Sequence, residues 1–145
     1  MDRFINVFTD GGARGNPGPA AIGVYITDSN NKKIAGFGKK IGTVTNNVAE
    51  YEAVVEALSW IIKNKKNLNI TKAFFFLDSL LVCSQITGLY KVKNSNLRRI
   101  LFSVREKEVE VGMPIFYKHI PREQNKKADV LVNTVLDKRL VTWTE

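Results

Sequence analysis

The 145-residue chain has few of the residues that build cross-links or membrane spans. Cys83 is its only cysteine, which excludes an internal disulfide and a zinc site made of cysteines alone. No apolar run approaches the roughly 20 positions that a membrane helix needs, and no secretory signal precedes the first strand-like segment. Internal repeats, low-complexity segments and proline-rich linkers are also missing. We therefore expect a single domain, residues 1–145, with a cytoplasmic location and no membrane partner.

Acidic residues are fewer than basic ones, and the imbalance lies in one half of the chain. There are 14 Asp and Glu against 22 Lys and Arg, a formal net charge of +8. Residues 1–62 hold six basic and six acidic side chains, so all the excess positive charge belongs to residues 63–145. Such an imbalance is typical of proteins with a polyanionic partner, although charge alone does not identify that partner.

The first third of the chain has the pattern of short antiparallel strands. Residues 4–9, 20–27 and 33–41 are rich in β-branched and aromatic side chains, and polar or glycine-rich segments separate them. Glycine and proline are so frequent in residues 11–19 that we expect a loop there. These segments predict a three-stranded antiparallel meander.

Helices and two more strands are predicted in the rest of the chain. Apolar residues at helical spacing predict a long helix that begins at an Asn46 or Asn47 cap and ends at residues 64–67. The apolar run at residues 73–77 predicts a strand covered on both faces. The other predicted elements are a short helix at 79–86, a basic helix at 96–108, a strand at 114–119 and a terminal helix at 123–139.

This order of elements predicts an α/β fold with a mixed five-stranded sheet. Three antiparallel strands are extended by two parallel strands that return through helical crossovers, and helices flank the sheet. Ligands of such open sheets bind at the carboxyl ends of the strands. Asp10 and Asp78 follow the first and fourth predicted strands, so we expect them at that edge.

Four acidic residues lie at the boundaries of predicted elements: Asp10, Glu50, Asp78 and Asp129. Hard divalent cations such as Mg²⁺ take carboxylate oxygens as ligands. Carboxylates that converge on one site repel one another unless cations compensate them. A basic protein with an acidic pocket is therefore expected to bind metal ions in the pocket and a phosphate backbone on the surrounding surface.

Each acidic residue has an ordinary structural interpretation as well. Glu50 lies three residues after Asn47, where it could complete a capping box. Asp78 could cap the short helix, Asp129 could be a solvated surface charge, and Asp10 could be a turn residue. No one of the four decides between a structural and a metal-binding role.

The glycine-rich segment has two interpretations. It lacks the Gly-Lys-Ser/Thr ending of a P-loop, and a strand rather than a helix follows it. It is therefore either a simple hairpin connection or a loop whose bare backbone lets a sugar-phosphate chain approach, with Asn16 as a hydrogen-bonding side chain.

Four segments together resemble the type 1 ribonuclease H family. They are residues 9–20 (TDGGARGNPGPA), 45–53 (TNNVAEYEA), 77–82 (LDSLLV) and 119–129 (HIPREQNKKAD). The resemblance spans nearly the whole chain in the family's order, and four motifs in register are far more specific than any one of them. It favours the metal-binding interpretation of the four carboxylates.

The resemblance implies a ribonuclease H-like fold and a metal-dependent endonuclease. In this family the matching acidic residues coordinate two Mg²⁺ or Mn²⁺ ions, and the enzyme hydrolyses the RNA strand of an RNA–DNA hybrid to 5′-phosphate and 3′-hydroxyl ends. Carried onto this chain, the metal ligands are Asp10, Glu50, Asp78 and Asp129. We expect Asp10, at the end of a central strand, to contact both ions.

The resemblance also implies residues that contact the substrate or assist catalysis. The residues expected to bind the hybrid are Gly11, Gly12, Asn16, Asn46, Asn47, Ser79 and Asn125. Many members have a histidine before the last acidic residue, and some compact members that end the strand with His-Ile/Val-Pro-Arg have the arginine in its place. We expect Arg122 in this auxiliary catalytic role and keep His119, at the end of the fifth strand, as the alternative.

The basic, tryptophan-rich protrusion of some bacterial members is missing here. Phosphate contacts are then expected from other basic residues: Lys91, Lys93, Arg98, Arg99, Lys126 and Lys127. Two alternatives to the nuclease remain at this stage. One is a non-catalytic module that binds hybrid or double-stranded RNA, and the other is a nuclease that also cuts double-stranded RNA. No obligate protein partner is evident.

Overall fold

The computed structural model describes residues 3–138. Five strands, four helices and one turn of 3₁₀ helix follow one another in this part of the chain. They are β1 (Phe4–Ala13), β2 (Gly18–Asp28), β3 (Lys33–Val44), α1 (Asn46–Leu68), β4 (Lys72–Leu77), α2 (Leu80–Ile86), α3 (Ser95–Val111), β5 (Ile115–His119), the 3₁₀ turn (Arg122–Gln124) and α4 (Lys126–Asp137).

The five strands form one mixed sheet in the order β3-β2-β1-β4-β5. β1 pairs antiparallel with β2, and β2 with β3, whereas β4 runs parallel to both β1 and β5. The predicted fold class is therefore confirmed, with β1 as the central strand. Because β1 and β4 are parallel neighbours, their carboxyl ends meet at the same edge of the sheet.

One face of the sheet is buried under α1, α2 and α3. Ile5 and Val7 of β1 are fully buried there with Phe75 of β4, because side chains alternate between the two faces of a strand. The Tyr51 hydroxyl on α1 donates to Gln85 Oε1 on α2 at 2.7 Å, which satisfies a polar group inside this core.

The other face is covered in part by α4, which packs on β2, β3 and β1. Two glycines make this packing close. A Cβ on Gly23 would lie 2.4 Å from the Ala128 carbonyl oxygen, and one on Gly38 would lie 2.8 Å from the Leu131 carbonyl oxygen. The backbone of α4 therefore lies directly on the backbone of two strands.

The loop predicted at residues 11–19 is shorter in the structure, where only residues 14–17 lie between the two strands. β1 continues to Ala13 and β2 begins at Gly18, with Gly11 opposite Ile22 and Gly12 opposite Ala21. Glycine keeps both its backbone donor and its acceptor, so it can take part in an antiparallel ladder. Here it is needed because α1 passes too close for a side chain: a Cβ on Gly11 would lie 2.2 Å from the Ala49 carbonyl.

The predicted ends of α1 are also corrected. Thr45, and neither Asn46 nor Asn47, is the N-cap, and its hydroxyl accepts from the Val48 amide at 3.2 Å. The helix ends at Leu68 rather than at residues 64–67. Lys65 Nζ donates to the carbonyl oxygens of Glu110 and Val111 at the end of α3, so a tertiary contact keeps this polar turn helical.

Smaller differences concern the other elements. The apolar strand β4 is buried on alternate residues only, because Phe74 and Phe76 are half-buried on the face that α4 leaves open. Ser79 rather than Asp78 caps α2. The terminal helix begins at Lys126 after the 3₁₀ turn, and its predicted end at Arg139 lies outside the described residues. Within residues 3–138, no helix combines the length and the apolar character that a membrane crossing requires.

Candidate active site

Asp10 and Asp78 lie side by side where the parallel pairing of β1 with β4 ends. Asp10 is in β1, and Asp78 directly follows Leu77, the last residue of β4, which pairs with Thr9. Asp10 is only 7% exposed, whereas Asp78 is half-buried. The parallel pairing of the two strands brings together residues that are 68 positions apart in the sequence.

Glu50 reaches the same edge from α1. The Gly11 amide donates to Glu50 Oε1 at 2.5 Å, and the close approach of β1 to the Ala49 backbone makes this bond possible. The capping-box interpretation of Glu50 is therefore wrong, because its carboxylate bonds to a strand rather than to its own helix end. Glu50 is 7% exposed.

Asp129 completes the set from α4. It lies in the first turn of that helix, half-buried, and its amide donates to the Asn125 carbonyl at 3.1 Å. Its carboxylate is close enough to Asp10 to raise the pKa of Asp10 by repulsion and hydrogen bonding. All four acidic residues that the sequence singled out therefore face one cleft of about 410 Å³.

Two carboxylates of the cleft, those of Asp10 and Glu50, are buried close to other negative charges. Burial, reinforced by the charges of Asp78 and Asp129, raises the pKa of Asp10 from 3.8 to about 7. Burial and the neighbouring Asp10 carboxylate raise the pKa of Glu50 well above its ordinary value. None of the ion pairs described for residues 3–138 involves these residues.

This donor set is suited to a hard divalent cation. Ligand oxygens of Asp10, Glu50 and Asp78 all lie within 4.8 Å of one another. Several carboxylates that converge in this way are the ligands that Mg²⁺ and Mn²⁺ take in proteins. A bound cation would remove the repulsion that raises the pKa values of Asp10 and Glu50.

Asn125 lies behind the carboxylates rather than in the cleft. It is 1% exposed, and its Nδ2 donates to the Thr9 carbonyl at 2.8 Å and to Asp78 Oδ2 at 2.9 Å. These bonds fix the start of α4 to the end of β1 and hold the Asp78 carboxylate. The structure thus places the Asn125 amide nitrogen on Thr9 and Asp78, and the substrate contact that the resemblance implies stays a prediction.

Three asparagines that the sequence singled out lie together at one rim of the cleft, with Asn46 and Asn47 in its lining and Asn16 bonded to Asn46 from outside it. Asn46 Oδ1 accepts from the Ala13 amide at 2.9 Å, and the Asn46 amide donates to Asn16 Oδ1 at 2.9 Å. Asn47 is half-buried and lines the cleft together with Asn46, Gly11 and Gly12. The predicted hybrid-binding residues of the first two motifs are therefore neighbours in space.

Ser79 and Arg122 line the cleft from its other side. The Ser79 hydroxyl accepts from the Val82 amide at 3.2 Å, so its oxygen already caps α2. Arg122 is exposed in the 3₁₀ turn after β5. His119 is also exposed, but it ends β5 opposite Leu77 and is not among the residues that line the cleft.

Sequence reasoning missed two polar residues of the cleft, Arg14 and Asn133. Arg14 donates to Asn133 Oδ1 at 3.2 Å and pairs with Asp137 at 2.8 Å, which ties the turn after β1 to α4. Asn133 stands four residues after Asp129, so the helical repeat could have indicated that both share one face. Nothing in the sequence pairs Arg14 with residues 119 positions away.

The basic residues expected to contact phosphate are exposed but spread over the molecule. Lys91, Lys93, Arg98 and Arg99 lie before and within the first turns of α3. Lys127 instead lies with its Nζ 5.6 Å from the ring centre of Tyr25, on the sheet face beside the cleft. The six predicted residues therefore do not form one surface.

The amino-acid sequence is similar to a known family model and to several known proteins. A family model described as reverse transcriptase-like matches residues 8–135. Ribonuclease HI of Halobacterium salinarum is 36% identical over 134 residues, which is 92% of this chain and 64% of that protein. A bifunctional protein of Mycobacterium tuberculosis is also 36% identical over 134 residues, but the chain spans only 35% of its length.

Solved structures agree with the sequence comparison. The crystal structure of ribonuclease H1 from Halobacterium salinarum matches with a TM-score of 0.83 and 34% identity, over 92% of this chain and 98% of that one. LC11-RNase H1, solved in complex with an RNA/DNA hybrid, matches with a TM-score of 0.84 and 42% identity, over 90% of this chain and 94% of that one.

Proposed function

Because the chain belongs to the type 1 ribonuclease H family, we propose that it is a metal-dependent endonuclease that hydrolyses the RNA strand of RNA–DNA hybrids. The observation that carries the proposal is the convergence of Asp10, Glu50 and Asp78, whose ligand oxygens all lie within 4.8 Å of one another while Asp10 and Glu50 are buried. A module that only bound nucleic acid would gain nothing from buried carboxylates that repel phosphate.

The proposed metal ligands are Asp10, Glu50, Asp78 and Asp129, which would hold two Mg²⁺ or Mn²⁺ ions. Such ions activate the attacking water and stabilise the charge that develops on the scissile phosphate and the leaving 3′ oxygen. The protein holds the ligands on four separate elements. The Gly11 amide fixes Glu50 and Asn125 fixes Asp78, so the carboxylates are oriented before any ion binds.

Selection of RNA requires a contact with the 2′-hydroxyl, the group that DNA lacks. The proposed contacts come from the Gly11 and Gly12 backbone and from the side chains of Asn16, Asn46 and Asn47, which form the rim beside the carboxylates. Asn46 Oδ1 already accepts from Ala13, so its amide nitrogen is the group left to donate to the substrate. Phosphate and sugar contacts carry no base information, so cleavage is expected to be independent of sequence.

We assign the auxiliary catalytic role to Arg122 rather than to His119. Arg122 lines the cleft, and its guanidinium is always charged, so it can approach the phosphate from the side opposite the asparagine rim. Replacing Arg122 with alanine should lower kcat several-fold while His119→Ala changes it little. Equal losses in both variants would contradict this assignment.

The decisive experiment measures cleavage of an end-labelled RNA–DNA hybrid with Mg²⁺, with Mn²⁺ and with EDTA. We expect cleavage only with metal, to products with 5′-phosphate and 3′-hydroxyl ends. Asp78→Asn should reduce the rate about 100-fold or more, because it removes a charged ligand from the site. Glu52→Gln is the matched control, since Glu52 lies on the same helix as Glu50 but outside the cleft.

Other outcomes of the same assay separate the alternatives. Tight hybrid binding without cleavage under every metal condition would indicate a non-catalytic module. Cleavage of double-stranded RNA at a comparable rate would indicate the broader nuclease. Activity in EDTA, or an Asp78→Asn variant as active as Glu52→Gln, would contradict the proposal. A cytoplasmic location stays a prediction from composition.

A further inference from the structure

The sheet face on which α4 packs also carries aromatic rings that α4 does not cover. Because side chains alternate along a strand, every second residue of β1, β2, β4 and β5 points to this face. We define the aromatic face by its six rings: Phe4, Phe8, Tyr25, Phe74, Phe76 and Phe116. Phe116 is 51% exposed, and the other five are half-buried.

The rings of the aromatic face lie against one another in rows. Phe8 and Phe76 stack with centroids 4.9 Å apart and an interplanar angle of 21°. Phe74 and Phe116 stack at 5.3 Å and 23°. The two rows are two residues apart along β4, which is about 6.6 Å in a strand. They offer successive flat apolar platforms on a surface in contact with solvent.

A small pocket of about 250 Å³ adjoins these platforms. Phe8 and Tyr25 supply its apolar side, and Thr27, Asn31 and Gln124 supply polar groups. Asn125 also lines the pocket, and its Oδ1 is a buried acceptor for which no hydrogen-bond partner is described in residues 3–138. An unsatisfied buried acceptor costs free energy unless a donor from a ligand or from water reaches it.

The charge on this face is positive. Lys118 of β5 pairs with Phe76 across the strands and is exposed. Lys127 and Lys72 lie 5.6 Å and 5.7 Å from the ring centres of Tyr25 and Phe74. On the acidic side, the Asp28 carboxylate already accepts from the amides of Asn30 and Lys32, and Glu123 is exposed in the 3₁₀ turn.

We propose that the aromatic face binds single-stranded nucleic acid, with bases stacked on its phenylalanine rows and phosphates near its lysines. A duplex buries the faces of its bases, so only an unpaired strand can use stacking platforms. The pocket beside Phe8 and Tyr25 is wide enough for one base, whose amino or imino donor would reach Asn125 Oδ1. An apolar protein partner would make no use of the positive charge on this face, which favours a polyanion.

This site is separate from the acidic cleft. Asn125 and the 3₁₀ turn lie between the two, since Asn125 Nδ2 bonds to Thr9 and Asp78 on the side of the cleft. The inference goes beyond the proposed nuclease and does not depend on hydrolysis. An active enzyme that does not bind single strands would contradict only this inference. An inactive protein that binds single strands would contradict only the proposed nuclease.

The test is fluorescence anisotropy with labelled single-stranded RNA and DNA of about 15 nucleotides, in EDTA and at low salt. The double variant Phe116→Ala, Lys118→Ala should weaken binding about tenfold or more. The matched control is Phe102→Ala, Lys63→Ala, which removes an exposed phenylalanine and an exposed lysine from α3 and α1. The control should change binding less than twofold, and both variants should still cut a blunt hybrid.

Further arms keep the proposal falsifiable. Lys118→Glu alone leaves every ring in place, so it tests the face even if the double variant does not fold, and it should weaken binding several-fold. A blunt DNA duplex should not displace the single strand. Displacement by that duplex, equal losses in the two double variants, or no measurable binding by the wild-type chain would overturn the proposal. So would self-association that Phe116→Ala abolishes without any single-strand binding.

Discussion

The two halves of β1 are both buried, but burial has opposite consequences in them. Ile5 and Val7 lie among apolar side chains, where removal from water stabilises the fold. Asp10, in the second half of the strand, lies among carboxylates, and removal from water raises its pKa to about 7. The difference shows that the chain gives up stability at one end of a strand in order to hold an acidic site there.

The largest effect on stability is expected from a substitution at Gly11, where β1 lies against α1. Gly11→Ala would place a Cβ 2.2 Å from the Ala49 carbonyl, push β1 away from α1 and break the bond to Glu50. We expect a loss of about 3 kcal/mol or more in the free energy of unfolding, measured by urea denaturation. The neighbouring Gly12→Ala should cost less than about 1 kcal/mol, because its Cβ would meet only Val132 at 3.8 Å. Equal losses would contradict this account.

A similarly large loss is expected in the apolar half. Ile5 is fully buried, so Ile5→Ala should reduce the free energy of unfolding by about 3 kcal/mol, and Ile5→Val by about 1 kcal/mol. Both losses should be the same with EDTA and with Mg²⁺, because the residue lies far from the cleft. A loss that depended on metal would show that the two halves are coupled.

Asn125→Ala tests the support of the acidic half. The substitution removes two hydrogen bonds, from Nδ2 to Thr9 and to Asp78, and should cost about 2 kcal/mol of stability. If Asn125 positions Asp78, the Mg²⁺ concentration for half-maximal activity should also rise. Asn64→Ala, which removes the hydrogen bond from Nδ2 to the Trp60 carbonyl on α1, outside the cleft, is the control and should leave the Mg²⁺ dependence unchanged. An unchanged Mg²⁺ dependence in Asn125→Ala would contradict the positioning function.

Asp10→Asn should change the free energy of unfolding in the opposite direction from the core variants. It removes one buried negative charge from a repelling cluster, so we expect the metal-free protein to gain about 1–2 kcal/mol at pH 8, with loss of activity. Denaturation in EDTA measures the gain. Glu56→Gln, at a surface ion pair with Lys39, should change stability by no more than about 0.5 kcal/mol. A destabilised Asp10→Asn would show that the hydrogen bonds of the Asp10 carboxylate outweigh its repulsion by the other carboxylates.

The dependence of Tm on pH in EDTA tests the same repulsion without any substitution. Because the pKa values of Asp10 and Glu50 are raised on folding, the folded chain binds more protons than the unfolded chain at intermediate pH. Stability should therefore fall between about pH 5 and pH 8. Mg²⁺ should raise Tm more at pH 8 than at pH 5, because it binds the ionised carboxylates of the folded state. A Tm in EDTA that rises across this range would contradict the sign.

The order of the strands and helices is predictable from the sequence because it depends on local signals, and the four motifs together single out the carboxylates. Asp10 and Asp78 each follow an apolar run, and parallel pairing then brings them together. The glycine-rich segment is harder to interpret because glycine frequency predicts a turn, whereas the close approach of Ala49 to Gly11 depends on how α1 packs. The true end of α1 depends on Lys65, whose bonds to α3 carbonyls cross 45 positions of sequence.

The details of the cleft are even less accessible to sequence reasoning. Asn125 lies in the fourth motif, which predicts contact with the substrate, and only the folded structure shows that its amide faces Thr9 and Asp78. Arg14 lies in a turn where nothing in the sequence indicates a partner on α4. The aromatic face is visible in the sequence only as a run of phenylalanines, and its open side depends on how far α4 extends across the sheet.

The two glycines beneath α4 determine how the fourth carboxylate is set relative to the other three. Asp129 lies on α4, and the backbone of α4 can contact β2 and β3 only because Gly23 and Gly38 have no side chains. A methyl group at either position would act as a spacer that lifts the helix and moves Asp129 outward. Substitutions at Gly23 or Gly38 would therefore change the geometry of the cation site in steps, while every charged residue stays the same.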